Sequence, residues 1–557
     1  MRAAPIIAAL LALATTAAHA AKPVRAADPA LHAYMFSRYA VLDKEVGLAA
    51  RLMEEVRAAD PAASGVTRRA WELALAAGDA KRAFQLARQI GAAGDADPTI
   101  TITRLADAVL RKDMAGVAQL RKGLGGQGWP MVAGPIIDGW AMFARGDAQG
   151  ALAALDPQRT QGFMRAYVAE QRAHMLAGLG RWDEAAAAYR QARAGGGPAV
   201  AVLRQGQADA LAMAGRREEA LAVLFPSDRQ TAVARQKLEA GKRLGPVAPD
   251  ARTGLAWMFI RLSADVARER AEPLALLFAR LASFMAPEQP LAWVSVGDLL
   301  ARSGQNQAAL VALAKVPGGF GLDEMVRGRQ ADLLAGSGQG DAAGALLQAA
   351  ATAPGASPED LGGLAAWHQR AGRFADAAKA YGQAIDRFGA GMGSSAWNLH
   401  FLRGMMRDRA GDWPGAEADL KAALALVPEE PGVLNYLGYS LMERGEQTEA
   451  ARSMIERAAA LRPGDGGIID SLGWMQLKLG QVDQAVVTLE RALTLEPEDP
   501  TITGHLGDAL WHQGRRIEAR FRWRQALAVA GEGDERRRLQ ARLDYGLDAA
   551  PAMLAQK

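Results

Sequence analysis

Four short segments that each end in glycine set the pattern of the chain between Leu402 and Leu527: Leu402-Arg403-Gly404, Tyr436-Leu437-Gly438, Ser471-Leu472-Gly473 and His505-Leu506-Gly507. The four glycines are 34, 35 and 34 residues apart. A second glycine follows each of them after seven residues, at Gly411, Gly445, Gly480 and Gly514. Alanines recur in the same phase at Ala416, Ala451, Ala485 and Ala519, and Pro428, Pro463 and Pro497 close the first three copies. A constant phase over four copies indicates one repeated structural unit.

The repeated residues fit a hairpin of two helices. Glycine and alanine are small enough for the two helices to cross closely, and the second glycine can take the left-handed conformation that ends a helix. The proline cannot continue the second helix. This is the tetratricopeptide pattern, which has a period of about 34 residues. The sequence therefore predicts an all-α fold, a right-handed superhelical solenoid of tetratricopeptide repeats in which neighbouring hairpins bury one another's apolar faces.

Weaker copies of the same pattern precede the regular block, for example Gly146-Asp147 with Ala151 and Gly215-Arg216 with Ala220. The phase is lost around 231–250 and returns with Ala275, Ala282 and Pro287, and the unit of Trp293 and Gly297 follows. We predict six segments: a signal peptide at 1–20, a degenerate N-terminal lobe at 21–230, an irregular helical joint at 231–250, middle repeats at 251–390, the regular C-terminal block at 391–531, and a capping helix with a tail at 532–557.

The first twenty residues have the composition of a secretory signal peptide. Arg2 supplies a positive charge, the apolar run from Ile6 to Leu13 is too short to span a bilayer, and Ala18-His19-Ala20 is a small-x-small cleavage site. We predict cleavage after Ala20, a periplasmic location and no transmembrane span. The alternative for the same segment is an uncleaved membrane anchor.

Composition and motifs give no sign of catalysis. The chain contains no cysteine, which excludes disulfides, cysteine-ligated zinc and thiol chemistry, and its formal net charge of +4 favours no particular partner. No nucleophile motif, phosphate loop or zinc-binding histidine pair occurs. His505, Asp508 and His512 share one helix face, but a metal site there would need a further ligand. We predict a non-enzymatic protein without a metal or cofactor.

Four motifs carry a closer resemblance: Asn435-Tyr-Leu-Gly-Tyr-Ser-Leu441, Asp470-Ser-Leu-Gly-Trp474, His505-Leu-Gly-Asp-Ala-Leu-Trp511 and Ala519-Arg-Phe-Arg-Trp-Arg-Gln-Ala-Leu527. They are similar to exported proteobacterial tetratricopeptide proteins that include adaptors of carboxyl-terminal processing proteases. The resemblance implies binding of such a protease and presentation of murein hydrolases to it. Those adaptors carry a lipid on a cysteine, and this chain has no cysteine.

The side chains around each first glycine are expected to line the concave groove of the solenoid and to bind a protein partner there. These predicted partner-binding residues are Phe401, Asn435, Tyr439, Asp470, Trp474, His505, Asp508 and Trp511. Aromatic anchors beside polar groups are typical of interface hot spots. In the alternative interpretation, Tyr439, Trp474 and Trp511 only fill the space between hairpins.

Two functions are consistent with these residues. The first is a periplasmic scaffold or adaptor that binds a protease or another envelope protein through the groove. The second is a structural assembly factor for envelope or secretion machinery. The arginines after Arg515 alternate with acids, as in a solvated capping helix, and do not indicate nucleic-acid binding.

Export is directly testable. The charge at Arg2, the short apolar run and the Ala18-His19-Ala20 site predict a mature chain that begins at Ala21. Mass spectrometry of the protein from its native host should show this N-terminus. An intact Met1 in the membrane fraction would contradict cleavage and favour the anchor.

Overall fold

The structure is built from helices that follow one another as hairpins. A computed structural model of the chain describes residues 29–194, 200–225, 229–446 and 448–549, and these residues contain thirty α-helices and no strand. The predicted signal peptide at 1–20 lies outside the described residues. Because the described residues contain helices and no strand, the all-α prediction is confirmed.

The chain divides into two compact units, Met1–Ala343 and Gly344–Lys557. The helices of the first unit are α1 (Pro29–Leu42), α2 (Val46–Ala59), α3 (Ser64–Ala77), α4 (Ala80–Ala92), α5 (Pro98–Leu110), α6 (Met114–Lys122), α7 (Trp129–Ala144), α8 (Ala148–Ala154), α9 (Met164–Gly178), α10 (Trp182–Ala194), α11 (Val200–Met213), α12 (Arg217–Val223), α13 (Arg229–Glu239), α14 (Ala251–Arg268), α15 (Glu272–Met285), α16 (Pro290–Arg302), α17 (Asn306–Leu313) and α18 (Asp323–Gly336). A short 3-10 helix spans Pro157–Arg159.

Helix α19 (Gly340–Thr352) contains the division between the units. The helices of the second unit are α20 (Pro358–Arg370), α21 (Phe374–Met392), α22 (Trp397–Arg409), α23 (Trp413–Leu426), α24 (Pro431–Glu443), α25 (Thr448–Leu461), α26 (Gly466–Lys478), α27 (Val482–Leu495), α28 (Pro500–His512), α29 (Arg516–Val529) and α30 (Asp534–Tyr545), with a 3-10 helix at Gly393–Ala396. Each even-numbered helix from α20 to α28 packs against the helix that follows it.

The first glycine of each repeat lies where the two helices of a hairpin cross. A Cβ atom added to Gly473 would lie 2.7 Å from Leu489 Cγ, and one added to Gly438 would lie 2.9 Å from the carbonyl oxygen of Ala451. Ala485 is completely buried at the same crossing. A larger side chain at these positions would force the helices apart.

The second glycine of each repeat ends the first helix of its hairpin. Gly411, Gly445, Gly480 and Gly514 have φ angles of 86°, 70°, 76° and 85°, the left-handed region where glycine costs least. The backbone then turns directly into the second helix. Both roles that the sequence pattern predicts for glycine are confirmed.

The division between the units falls between Ala343 and Gly344, within the segment predicted as the middle repeats, 251–390. The predicted joint at 231–250 contains the end of α13, which stops at Glu239, and a stretch without helix up to Asp250. Helix α30 lies in the predicted capping segment.

In the first unit, helices far apart in sequence also meet. Arg280 of α15 is 4% exposed, and its Nη2 donates a hydrogen bond to the carbonyl oxygen of Ala76 at the end of α3, at 2.6 Å. Burial lowers the pKa of Arg280 to about 10, so the guanidinium stays charged at neutral pH. A cation at the C-terminal end of a helix is stabilised by the helix dipole. Phe84 and Phe284 add an edge-to-face contact with centroids 5.7 Å apart.

The helix crossing at Ala485 can be tested by overpacking. Replacing Ala485 by leucine should push α26 and α27 apart and cost about 1–3 kcal/mol of unfolding free energy. The matched control is Val487→Leu on the same helix, because Val487 is 68% exposed and should tolerate the change. Chemical denaturation of both variants measures the difference. Equal stability of the two variants would show that Ala485 does not lie at a close helix crossing.

Candidate functional site

The predicted partner-binding residues lie on the first helices of the hairpins in the second unit. The first helices that carry these residues are α22, α24, α26 and α28, and α30 follows the last hairpin. Helix α26 packs against both α24 and α28. We call the surface formed by α24, α26, α28 and α30 the first-helix face. Because the hairpins repeat in phase, equivalent residues of successive hairpins come side by side on this face.

Asp470, Trp474 and His505 form one cluster across two hairpins. Nδ1 of His505 lies 2.9 Å from Oδ2 of Asp470, and the rings of His505 and Trp474 stack with centroids 4.1 Å apart and an angle of 18° between their planes. Asp470 is buried, whereas Trp474 and His505 are partly exposed. The carboxylate orients the imidazole, and the imidazole supports one face of the indole.

Glu443 connects this cluster to a third hairpin. The indole Nε1 of Trp474 donates to Oε1 of Glu443 at 2.7 Å. The ammonium of Lys478 lies 3.5 Å from the same carboxylate oxygen and 4.9 Å from the centroid of the Trp474 ring. The side chain of Lys478 is 49% exposed, so it covers the indole from the solvent side.

Tyr439 lies next to this cluster and is partly exposed. Burial raises the pKa of the Tyr439 hydroxyl above its ordinary value, and the negative charges of Glu443 and Asp470 raise it further, while the positive charge of Arg538 lowers it. The hydroxyl is therefore neutral at physiological pH and able to donate a hydrogen bond. Arg538 of α30 is itself exposed.

Asn435 precedes Tyr439 by one helical turn. Its Oδ1 atom is enclosed and has no hydrogen-bond partner among the described residues. A buried acceptor without a partner costs free energy, and side chains that carry such atoms are common where a ligand or a water completes the site.

Phe401 is packed mainly between helices. Its ring lies 6.0 Å from the ring of Tyr436 in an edge-to-face contact and 6.2 Å from the ring of Trp397. The hydroxyl of Tyr436 donates to Asp408 at 2.9 Å. These contacts give Phe401 a role in stacking α22 against α24.

Asp508 and Trp511, predicted to bind a partner, lie in the packed interior at the end of the second unit. Asp508 is 1% exposed, accepts a hydrogen bond from Nε1 of Trp523 at 2.9 Å and lies 2.9 Å from Nη2 of Arg542. Trp511 is 9% exposed and packs on Trp523 with ring centroids 5.3 Å apart. For Trp511 the structure supports the alternative that it fills space between hairpins, and the Asp508 carboxylate is held in an internal ion pair.

Burial raises the pKa of the Asp508 carboxyl, and the nearby charges of Arg542 and His505 oppose that rise. The ion pair with Arg542 and the bond from Trp523 are what make a charge tolerable at this depth. Oδ2 of Asp508 has this charge pairing with Arg542 but no hydrogen bond of good geometry among the described residues. No group of three or more histidine, aspartate or glutamate side chains in the described ranges is arranged to hold a metal ion.

The sequence pattern missed three residues of the first-helix face: Glu443, Lys478 and Arg538. Glu443 and Lys478 each follow the first glycine of their repeat by five residues, so the repeat phase itself would have placed both on this face. Arg538 belongs to α30, which carries no such glycine, so the repeat spacing could not predict its position on this face.

Two open clefts lie in the first unit. One, of about 570 Å³, is lined by α1, α3 and Met53 of α2, and another, of about 540 Å³, lies between α3 and α15. None of the described helices is long and apolar enough to cross a lipid bilayer.

A comparison with family models matches the tetratricopeptide repeat at residues 367–431, 401–466 and 471–535. These matches cover the regular block, and the chain contains tetratricopeptide repeats. A comparison with curated protein sequences gives no match.

Solved structures similar to this chain include repeat proteins. The Cut9–Hcn1 hetero-tetramer of the APC/C is 15% identical, with 94% of this chain and 97% of that chain covered and a TM-score of 0.34. MamA of Desulfovibrio magneticus RS-1 is 18% identical, with 32% and 97% covered and a TM-score of 0.27. A thermophilic tetratricopeptide repeat protein of Thermus thermophilus is 21% identical, with 34% and 99% covered and a TM-score of 0.30. At these TM-scores the similarity carries no argument about function.

The buried position of Asp508 gives a prediction about folding. Asp508→Ala should leave the Trp523 indole and the Arg542 guanidinium without their partner and cost about 3–5 kcal/mol. The control, Glu518→Ala, removes an exposed ion pair with Arg515 and should leave stability unchanged. Thermal unfolding followed by circular dichroism compares them. An Asp508→Ala variant as stable as the parent would show that this carboxylate does not stabilise the fold.

Proposed function

We propose that this protein is a non-enzymatic scaffold or adaptor of the bacterial cell envelope that binds a protein partner on the first-helix face of its second unit. The observation that carries the proposal is the cluster of Asp470, Trp474 and His505. Asp470 holds the His505 ring and Glu443 holds the Trp474 indole, and the partly exposed Tyr439 lies beside them. Tetratricopeptide repeats support a protein partner, because such repeats present an extended binding surface.

The cluster has the chemistry of an interface hot spot. Trp474 is fixed by its hydrogen bond to Glu443 and by the stack on His505, so little side-chain freedom remains to be lost on binding. Tyr439 offers a neutral hydroxyl, and the enclosed Oδ1 atom of Asn435 has no hydrogen-bond partner among the described residues. Aromatic anchors beside polar groups of this kind account for most of the binding energy in many interfaces.

The envelope location rests on the predicted signal peptide, and the nature of the partner rests on the resemblance described above. Both point to a carboxyl-terminal processing protease as the first partner to test. In that role the scaffold would hold the protease and its substrate on one surface and perform no chemistry itself.

The test is binding of the purified protease to the double variant Tyr439→Ala/Trp474→Ala. Loss of a hot-spot anchor costs about 2 kcal/mol or more, which weakens affinity roughly thirtyfold for each residue. The double variant should therefore lose measurable binding in calorimetry while it keeps its helical content. The matched control is Ile517→Ala/Phe521→Ala, because these apolar side chains of α29 are 88% and 61% exposed.

The other outcomes separate the alternatives. Unfolding of the Tyr439→Ala/Trp474→Ala variant would show that both aromatics only fill space between hairpins. A folded variant with full affinity would move the binding site to another surface, with the clefts of the first unit as the next candidates. Failure of the parent to bind the protease, together with its co-purification with envelope or secretion machinery, would favour the structural assembly factor.

A further inference from the structure

The solvent face of α29 carries large apolar side chains. Ile517 and Phe521 are 88% and 61% exposed, and the exposed Ala528 lies on the same line of the helix, because spacings of four and seven residues return to one face. The opposite face is buried and consists of Ala519, Trp523 and Ala526. The helix therefore packs on one side and projects two large apolar side chains from the other.

A row of arginines follows one edge of this apolar line. Arg516, Arg520 and Arg524 are four residues apart and exposed, and none of them forms an ion pair with a described residue. The Cζ atoms of Arg516 and Arg520 lie 4.8 Å and 5.9 Å from the centroid of the Trp511 ring. These contacts orient the two guanidinium groups and leave their positive charge without a counterion.

The preceding hairpins show that this composition is not part of the repeat. Helix α29 contains four arginines and one acid, whereas α23 and α27 each contain one basic residue and two acids, and α25 contains two of each. The residue 34 positions before Ile517 is Asp483, so a polar side chain is compatible with the same place in the hairpin. The basic and apolar face is a property of α29 alone among these four helices.

Such a face is complementary to a surface that is negatively charged outside and apolar beneath. Amphipathic helices with arginines beside apolar side chains bind the interface of anionic lipid membranes in this way. The arginine stem can lie along apolar material while the guanidinium binds a phosphate. A fluid bilayer accepts a side chain as exposed as Ile517 at any lateral position, whereas a folded protein has to present a matching pocket.

We propose that α29 docks this protein on the surface of an anionic lipid bilayer. Ile517 and Phe521 enter the boundary between headgroups and acyl chains, and Arg516, Arg520 and Arg524 bind lipid phosphates. Helix α29 is not part of the first-helix face, so the proposal does not depend on binding of a protease. The protease measurement contains no lipid, and Ile517 and Phe521 remain a valid control there.

The expected strength follows from the charges. A basic residue near an anionic membrane surface strengthens binding roughly fivefold, so three of them together contribute on the order of a hundredfold. Salt screens this attraction, because the Debye length falls from about 10 Å at 0.1 M to about 3 Å at 1 M. Binding should therefore require anionic lipid and weaken strongly with added salt.

The experiment uses a local probe in the full chain. The chain has no native cysteine, so Ala528→Cys can carry a single environment-sensitive fluorophore while Ile517 and Phe521 stay in place. Vesicles that contain phosphatidylglycerol should shift its emission to the blue, and vesicles of phosphatidylcholine alone should not. The reference is the same label at Val311→Cys in α17, a position that is 52% exposed, and its emission should not change.

The charge is tested with Arg516→Gln/Arg520→Gln/Arg524→Gln on the labelled chain, which should weaken binding to the phosphatidylglycerol vesicles about a hundredfold. The matched control removes the same charge from α25 and α27, where the arginines already have partners: Arg452→Gln/Arg457→Gln/Arg491→Gln. This control should bind within a few-fold of the parent. Circular dichroism verifies that both variants keep their helical content.

Insertion is tested with Ile517→Ser/Phe521→Ser, which should abolish the blue shift, because the label then stays outside the headgroup region. A blue shift that survives this change overturns the proposal. So does the absence of a shift with phosphatidylglycerol vesicles, an equal shift with phosphatidylcholine or at Val311, or undiminished binding by the triple arginine variant. A label that responds to polyglutamate and not to the vesicles would assign this face to an acidic protein and equally overturn docking on a bilayer.

Discussion

The close crossing of two helices within each hairpin is the constraint on which the regular block depends. At Gly473 a single added carbon would lie 2.7 Å from Leu489, and Ala485 is completely buried at the same crossing. Interiors at normal packing density cannot absorb such an atom without moving a backbone. Once each crossing is fixed, the turn at Gly480 and the direction of the next hairpin are fixed as well, because a hairpin buries its apolar face only against its neighbour.

The first-helix face is a consequence of that regularity. Glu443 and Lys478 occupy the same position in successive hairpins. The constant phase brings them within 3.5 Å of each other, and both contact Trp474. His505 reaches Asp470 of the preceding hairpin in the same way. No single hairpin contains this cluster. A surface assembled from several repeats is therefore sensitive to any change that alters the spacing between hairpins, even where the side chains of the surface are untouched.

Much of this arrangement could be predicted from the sequence, and the exceptions have physical reasons. The regular spacing of glycine and alanine predicted the hairpins, their turns and the helices that carry Tyr439, Trp474 and His505. Trp474 follows its first glycine by one residue and Trp511 by four, and the repeat spacing alone does not show that the second of these side chains is enclosed. Trp511 is enclosed because Trp523 packs on it and Asp548, beyond α30, accepts a hydrogen bond from its indole. The bond between Arg280 and Ala76 joins residues 204 apart, a separation that no repeat period encodes.

The two ends of the described chain treat their terminal apolar faces differently. Each hairpin has two apolar faces, and the interior ones are used by neighbours, so the terminal faces remain to be covered. At the C-terminal end α30 does this with Leu539 directed inward and its arginines and acids directed to water. At the N-terminal end α1 has the opposite composition, with small residues inward and large apolar ones outward. The two ends therefore differ in a property that the repeat period does not encode: water solvates the charges of α30, whereas it does not solvate the apolar outer face of α1.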